Sequence, residues 1–398
     1  TIPENVGMNS KVLTKIDSIA NHAISKKMTP GLQVVVARKG KVIYQKSFGN
    51  HTYESNQKVS NTDVYDIASL TKIVATLPNV MKEFDQGHLT LETKLKSMLP
   101  AAKNSNKANA TVLDMLTHQA RFQPWIPFYK ATLDSLNRPS THYYRSEFST
   151  EFPIHVADKL YLRKDYNDSI VKTILDSELL PKKQYKYSDF TFILFKEYLE
   201  MHNKKSLEDL AHANFFEPLG ANSIMYNPLR KMNANRVIPT ENDNYFRHQV
   251  VQGYVHDMAA AMQGGISGHA GLFANALDVA KVMQMYLQKG TYGGRTYITE
   301  NTFNMFNTCY FCKDGNRRGV GFDKPQLGNE GPTCGCVSLT SFGHTGFTGT
   351  MTWADPEKEI VYVFLSNRTY PDSNAANKLS KENIRENIQR VIYEAIVE

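Results

Sequence analysis

The sequence predicts an α+β protein, in which an antiparallel sheet built from both ends of the chain is joined to an inserted, mainly helical region. Two observations predict this fold class. Each end of the chain combines one helix with one hairpin, and the long middle shows mostly helical periodicity. The 398 residues, of which 41% are apolar, suffice for a large core in one unit or in two intimately joined units.

The terminal elements follow from the spacing of their apolar residues. A period near 3.6 indicates a helix, whereas short β-branched or aromatic stretches on both sides of a turn indicate a hairpin. The predicted terminal elements are a helix over residues 11–26, strands over 33–37 and 42–45, strands over 350–354 and 359–366, and a helix over 384–396.

The middle of the chain carries four helical stretches, at residues 70–84, 112–116, 170–175 and 190–198. Pro78 lies inside the first stretch, where it removes one backbone hydrogen bond and should kink the helix. We therefore expect a sheet domain over residues 1–65 and 271–398 and a helical domain over residues 66–270. Ligand sites often lie between domains, so the seam is the expected place for the active site.

Composition and charge argue against two classes of partner. The net charge of +7 is a mild excess for this length, and no Lys/Arg-rich run occurs, so nucleic acid is not expected as a partner. The longest apolar runs, such as residues 360–365, fall far short of the roughly 18 residues of a membrane span. The first five residues do not resemble a signal peptide. We leave open that the chain is part of a longer or envelope-attached protein.

All four cysteines are clustered, as Cys309 and Cys312 followed by Cys334 and Cys336. Two interpretations have about equal weight: disulfides, which imply an oxidising compartment, and a structural zinc site with four thiolates. The second pair is one residue short of the usual Cys-x-x-Cys spacing. Free thiols are a third, weaker alternative.

A Ser-x-x-Lys pattern places a lysine on the same helix face as a serine, where it can accept the serine proton or stabilise the alkoxide. The pattern occurs three times, beginning at Ser55, Ser69 and Ser169. Only Ser69, with Lys72, follows the segment Val-Tyr-Asp-Ile-Ala at 64–68 and opens a strong apolar helical stripe. By itself such a match is usually an N-cap serine followed by a solvated lysine.

Two further segments carry side chains suited to acyl transfer. In Tyr187-Ser188-Asp189, a phenolate near cations could act as a base despite its ordinary pKa near 10. The segment 343–349 is rich in glycine and leads into the second predicted hairpin. Glycines at a strand edge let a substrate approach closely, and a main-chain N–H there could stabilise an oxyanion.

Taken in order, these segments resemble the class C β-lactamase-like serine hydrolases, a family that also holds penicillin-binding proteins, DD-peptidases, D-aminopeptidases and esterases. The resemblance spans nearly the whole chain. The matching segments are 65–72 (Tyr-Asp-Ile-Ala-Ser-Leu-Thr-Lys), 113–118, 187–189, 217–220 and 344–346. Segments 252–257, 268–273 and 342–350 resemble the branch that is joined to glycoside hydrolases in bacterial envelope proteins.

The resemblance implies a β-lactamase/transpeptidase-like fold, with helices on both faces of the antiparallel sheet and the active site beside the helical domain. It implies that Ser69 is the nucleophile and that Lys72 and Tyr187 share the proton transfer. The N–H groups of Ser69 and Phe347 would form the oxyanion hole. Thr345 and Gly346 would join Phe347 in binding substrate.

Two positions depart from the family pattern. Asp189 stands where most members have Asn, and a carboxylate there should raise the pKa of Lys72 and keep it cationic, which makes Tyr187 the expected base. His344 stands where most members have Lys. Because histidine is mostly neutral at pH 7, strong anchoring of a substrate carboxylate is less expected, which favours peptidase or esterase action over β-lactamase action.

The sequence thus predicts a serine hydrolase that acts through an acyl-enzyme on an amide or ester carbonyl, with cell-wall peptides as expected substrates. No cofactor or metal is expected in catalysis, since His256, Asp257 and His269 lack a metal-binding spacing. The expected location is the periplasm or cell envelope. Two alternatives stay open: a non-catalytic penicillin-binding or sensing domain, and a structural module attached to a glycosidase.

Overall fold

A computed structural model describes residues 1–397. The strands are β1 (Gly31–Arg38), β2 (Lys41–Gly49), β3 (Tyr65–Asp66), β4 (Tyr144–Arg145), β5 (Ile154–Ala157), β6 (Leu160–Leu162), β7 (Met225–Tyr226), β8 (Glu241–Asp243), β9 (Gln249–Val251), β10 (Leu272–Ala274), β11 (Thr291–Tyr292), β12 (Arg295–Thr296), β13 (Phe342–Gly346), β14 (Thr350–Asp355) and β15 (Ile360–Ser366).

The α-helices are α1 (Ser10–Leu13), α2 (Lys15–Ser25), α3 (Leu77–Asp85), α4 (Leu95–Met98), α5 (Val112–Leu116), α6 (Tyr166–Asp176), α7 (Phe190–Asn203), α8 (Leu207–Ala211), α9 (Met258–Ala261), α10 (Ala276–Leu287), α11 (Glu300–Phe306), α12 (Lys378–Lys381) and α13 (Ile384–Glu394). Short 3₁₀ turns occur at Pro3–Val6, Ala68–Leu70, Pro100–Ala102, Phe128–Thr132, Pro228–Arg230, Ala234–Arg236 and Cys312–Asp314, and π-helical turns at Lys72–Thr76 and His212–Phe216.

Both ends of the chain build one five-stranded antiparallel sheet, in the order β13-β14-β15-β1-β2. Its centre joins the two predicted hairpins, since β1 pairs with β15 and Val35 lies opposite Val363. The predicted α+β class with an antiparallel sheet made from both termini is therefore confirmed.

The two faces of the sheet are both covered, because side chains alternate along each strand. In β15, Tyr362 and Phe364 belong to the core formed with the terminal helices α2 and α13. Val361 and Val363 belong to the larger core on the other face, which includes α10 and the helical region. One strand thus contributes to two cores, and the helical region packs against the sheet through the larger of these cores.

The first helix of the middle region differs from the continuous helix expected over 70–84. The chain forms a 3₁₀ turn, then the π-helical turn Lys72–Thr76, and only then α3. The amide of Leu77 donates to the carbonyl of Lys72, and Pro78 falls in the first turn of α3. The wider π turn accommodates Pro78, because a proline is tolerated where a new helix begins. The division of the chain at residues 65 and 271 stays a proposal.

The cysteines form two disulfides, Cys309–Cys312 and Cys334–Cys336. The alternative of a zinc site with four thiolates is wrong, because each sulfur is committed to its neighbour. Moreover, the groups of potential metal ligands that converge within residues 1–397 contain no cysteine. No helix among these residues is long and apolar enough to cross a membrane.

Candidate active site

Ser69, Lys72 and Tyr187 converge at one point beside the main sheet. Lys72 Nζ lies 2.8 Å from Ser69 Oγ, and the hydroxyl of Tyr187 lies 3.1 Å from the same oxygen. Lys72 also lies over the Tyr187 ring, 5.0 Å from its centroid. The serine oxygen therefore has two potential proton partners within hydrogen-bonding distance.

The backbone before Ser69 is held in an unusual conformation. Ala68 has a φ of 47°, which is rare for a residue with a side chain and is maintained only by its surroundings. Asp66 Oδ1 accepts from the amide of Ala68, and Ile67 donates its amide to Leu272 in β10. These contacts fix the turn in which Ser69 lies.

His118 holds Tyr187 in position through hydrogen bonds to the backbone on both sides of it and through contact between the two rings. The amide of Ser188 donates to His118 Nδ1, and the amide of Lys186 donates to the carbonyl of His118. The His118 ring lies 4.6 Å from that of Tyr187. Burial, followed by the positive charges of Arg318 and Lys72, lowers the pKa of His118 far below its usual value, so the ring is neutral and supports the phenol by packing.

Asp189 forms an ion pair with Lys72, whose Nζ lies 2.8 Å from its carboxylate and is fully buried. Burial lowers the pKa of Lys72, but the charge of Asp189 and the phenol of Tyr187 raise it more, so that the pKa lies above its ordinary value. The pKa of Tyr187 is also raised, first by burial and further by Asp189, against the opposing effect of Lys72. At neutral pH both groups are protonated.

The end of β13 approaches the serine turn closely. Thr348 Oγ1 donates to the carbonyl of Asp66, and Thr350 Oγ1 donates to that of Ile67. A Cβ atom on Gly346 would lie 2.1 Å from Thr350 Oγ1 and 3.0 Å from the Ile67 oxygen. Glycine is therefore required here, and Phe347 after it lines the same cavity as Ser69. Thr345 precedes Gly346 in the strand.

His344 lies in β13, 6.0 Å from Tyr187 between ring centroids. Its Nδ1 donates to the carbonyl of Thr345, so Nε2 is free to accept from Arg318 Nη1 at 3.5 Å. Burial, together with the charges of Arg318 and Lys72, lowers the pKa of His344 to about 3. The histidine is therefore neutral, and the fixed cation near it is the buried Arg318.

A cavity of about 520 Å³ opens onto Ser69. Most of its wall is aromatic or aliphatic, and the polar groups are few. Its lining residues are Asp66, Ala68, Ser69, Trp125, Ile126, Pro127, Phe128, Tyr129, Tyr187, Asp189, Phe190, Ile193, Tyr245, His256, Asp257, Met258, Ala259, His269, Ala270, Phe347, Ser373 and Asn374. An apolar pocket with a few convergent polar groups is typical of a small-molecule site.

Three residues near this centre were not predicted as part of the site. Arg318 also donates to the hydroxyl of Tyr185. At the cavity wall, His269 Nε2 lies 2.7 Å from Asp257 Oδ1, and the carbonyl of His269 accepts from Lys72. Burial raises the pKa of Asp257, but His269 lowers it more, so this carboxylate stays ionised. Asp257 and His269 lie in segments 252–257 and 268–273, which carry part of the family resemblance but were given no role, whereas Arg318 lies in no such segment.

The sequence profile of the Beta-lactamase family matches residues 17–383. A protein of Escherichia coli (strain K12), named "Putative D-alanyl-D-alanine carboxypeptidase", is 27% identical over 415 residues, which cover 97% of this chain and 89% of the relative.

Two solved structures show the same fold. EstCE1, described as a hydrolase with promiscuous acyltransferase activity, has a TM-score of 0.69 at 16% identity and covers 96% of this chain and 99% of its own. A D-amino acid amidase from Ochrobactrum anthropi SV3, complexed with L-phenylalanine amide, has a TM-score of 0.68 at 13% identity. The match covers 97% of this chain and 99% of the amidase. At these identities the likeness concerns the fold.

Proposed function

The chain belongs to the Beta-lactamase family, and on that premise we propose that it is a serine hydrolase in which Ser69 is acylated and then released by water. The observation that carries the proposal is the convergence of Lys72 and Tyr187 on Ser69 Oγ, at 2.8 Å and 3.1 Å. A serine hydroxyl becomes a useful nucleophile when a neighbouring group takes its proton.

The proton is taken by Tyr187 in this proposal, while Lys72 stays cationic. Ser69 Oγ attacks the carbonyl carbon as its proton passes to the phenolate of Tyr187. Tyr187 then protonates the leaving nitrogen or oxygen, and the ester on Ser69 remains. Because the pKa of Tyr187 is raised, the active form is a minor fraction at neutral pH, and the charge of Lys72 stabilises both the phenolate and the developing alkoxide.

In the second half of the reaction, water is the nucleophile and Ser69 Oγ is the leaving group. Water attacks the acyl carbonyl and gives its proton to the phenolate of Tyr187, and Tyr187 then returns a proton to Ser69 Oγ as the ester bond breaks. The amides of Ser69 and Phe347, at the turn and at the end of β13, are proposed to hold the carbonyl oxygen in both halves. Losing one such donor costs roughly 3 kcal/mol of transition-state stabilisation.

The substrate is proposed to carry an amide or ester carbonyl with an apolar acyl group, since the cavity wall is mainly aromatic and aliphatic. His344 is neutral and contacts the buried Arg318, so position 344 itself offers no positive charge to a substrate carboxylate. The name of the Escherichia coli relative supports cell-wall peptides as substrates, and the two disulfides support an envelope location.

A substrate panel tests this proposal. Wild type and Ser69→Ala are assayed with p-nitrophenyl esters, nitrocefin and D-Ala peptides. We expect sustained turnover of at least one class by the wild type and its loss, by about 10⁴-fold or more, in the variant. A burst of one equivalent without turnover would indicate a binding or sensing domain. A wild type that neither turns over any substrate nor shows a burst would indicate a structural module.

A further inference from the structure

Glu83, His88 and His202 form a cluster of metal-ligating side chains outside the cavity that Ser69 lines. Glu83 lies in α3, His88 lies just after it, and His202 lies in the last turn of α7. The carboxylate of Glu83 is buried, whereas the two imidazoles are partly exposed. From the geometry of this cluster we propose that these three residues bind a divalent transition-metal ion, with zinc as the best fit.

The distances between the donor atoms carry this proposal. His88 Nδ1 lies 2.8 Å from Glu83 Oε2, His202 Nε2 lies 3.4 Å from the same oxygen, and the two nitrogens are 3.2 Å apart. Zinc bonds to imidazole nitrogen and carboxylate oxygen are about 2.0–2.2 Å, so the edges of a zinc tetrahedron are about 3.3 Å. The three donors thus already occupy one face of such a tetrahedron.

The local backbone brings His88 back over Glu83. Helix α3 ends at Asp85, and Gly87 follows with a φ of 75°, a conformation that favours glycine. The amide of Gly87 then donates to Phe84, and the amide of His88 donates to the carbonyl of Glu83. This helix-ending turn fixes the position of His88 relative to Glu83.

Neighbouring side chains orient the ligands. Asn203 Nδ2 donates to Glu83 Oε1 at 2.9 Å, which leaves Oε2 for the cluster. The ring of Tyr198 stacks on that of His202, with centroids 5.3 Å apart. Metal sites commonly hold their ligands through such outer contacts. The partial exposure of both histidines leaves room for water as a fourth ligand.

The site connects the elements that carry the catalytic centre. The segment that contains Ser69 and Lys72 leads directly into α3, and α7 begins immediately after Asp189. The proposed metal would join the distal ends of α3 and α7. Its role would be structural, and its three ligands are residues to which the hydrolase proposal gives no role in the reaction.

The matched control is His212, an exposed histidine that lies 3.9 Å from the carboxylate of Glu217. Within residues 1–397 it belongs to no convergent group of three or more potential metal ligands. The variants are the double replacement His88→Ala/His202→Ala, the single replacement His88→Gln, and His212→Ala as the control. All are prepared as the full chain, stripped with a chelator and dialysed.

Zinc chloride is titrated into each protein in competition with a chromophoric chelator, and the melting temperature is measured with and without zinc. We expect the wild type and His212→Ala to bind one equivalent more than the double variant and to melt at a higher temperature with zinc. We expect His88→Gln to weaken this binding by about 100-fold or more, since even outer contacts contribute 10- to 100-fold.

The proposal is overturned if the double variant, folded by circular dichroism, binds as much zinc as the wild type with the same affinity. It is also overturned if the stripped wild type binds no zinc, in which case the cluster is a hydrogen-bonded network only. Should the double variant fail to fold, the comparison between His88→Gln and the His212→Ala control decides in the same way.

Discussion

The ammonium of Lys72 is fully buried and lies 2.8 Å from the carboxylate of Asp189. This pair sets the protonation state of the candidate active site, because the negative charge keeps Lys72 cationic and raises the pKa of Tyr187 further above its ordinary value. Asp189 is, with His344, one of the two positions at which the sequence departs from the pattern that it resembles.

Asp189→Asn should shift the pH–rate profile to lower pH. Removing the negative charge lowers the pKa of Tyr187, so the phenolate forms at lower pH and the rising limb of kcat/KM moves to lower pH. The profile is measured with an ester substrate. Asp176→Asn, which breaks the exposed pair between Lys172 and Asp176, is the matched control and should leave the limb in place. An unmoved limb in Asp189→Asn would count against the role of Tyr187 as base.

His344→Gln should reduce the sensitivity of the fold to acid. The folded-state pKa of His344 is about 3, below the value near 6.5 of an unfolded histidine. Between these values the unfolded chain binds the extra proton, so stability falls as pH falls. Urea unfolding at pH 6.5 and pH 5 should show up to about 2 kcal/mol less loss in His344→Gln than in the wild type.

The exposed His22→Gln is the control for this measurement, because His22 is a solvent-accessible histidine beside Glu382. It should lose stability with acid as the wild type does. Equal acid sensitivity of His344→Gln and the wild type would show that His344 accepts a proton in the folded state.

Trp125→Ala should weaken the binding of substrates with aromatic acyl groups. Trp125 lines the cavity although 54% of its surface is exposed, so its removal costs contact area without disturbing the core. We expect KM to rise by about fivefold, equivalent to about 1 kcal/mol, with little change in kcat. Leu136→Ala, at an exposed residue away from the cavity wall, should change neither constant. A fall in kcat alone would contradict a binding role.

The double variant Cys309→Ser/Cys312→Ser should lose catalytic efficiency, measured as kcat/KM. The sulfur of Cys309 lies 3.4 Å from the carbonyl oxygen of Asn316, and the Asn316 side chain accepts from the amide of Arg318. Loss of this disulfide should loosen the loop and displace Arg318 from its contact with His344. We expect kcat/KM to fall by about 10-fold, because small misplacements near a reacting group are costly.

The second disulfide supplies the control. The amide of Cys334 donates to the side chain of Gln389 in α13, so this disulfide is attached to a different element from the loop that holds Arg318. Cys334→Ser/Cys336→Ser should therefore lower the melting temperature while leaving kcat/KM near the wild-type value. The same loss of activity in both double variants would mean that the first disulfide has no particular connection to Arg318.

Local sequence patterns predicted the sheet because their signals are short-range: the hairpins at 31–49 and 350–366 need only alternation and a turn. Helical spacing alone did not single out Ser69 and Lys72, since the same pattern occurs three times, and their proposed roles come from the family resemblance. The π turn before Pro78 was not predicted, since the period of a helix does not reveal a single widened turn.

Other features depend on the tertiary structure. Arg318, Asp257 and His269 reach the site from separate parts of the chain, and only the fold brings them together. The disulfides could not be distinguished from a zinc site, because spacing alone does not tell whether a sulfur faces its neighbour or a more distant pair. The groups proposed to react were thus easier to predict from the sequence than the groups that surround them.

The most direct test is mass spectrometry of the protein after incubation with a fluorophosphonate, with a penicillin, or with a p-nitrophenyl ester. The reaction with the ester is stopped with acid to trap the acyl-enzyme. The account predicts one covalent adduct on the peptide that contains Ser69 in the wild type, and none in Ser69→Ala. A folded Ser69→Ala variant that hydrolyses esters as fast as the wild type, or an adduct on another residue that forms equally in both proteins, would contradict it.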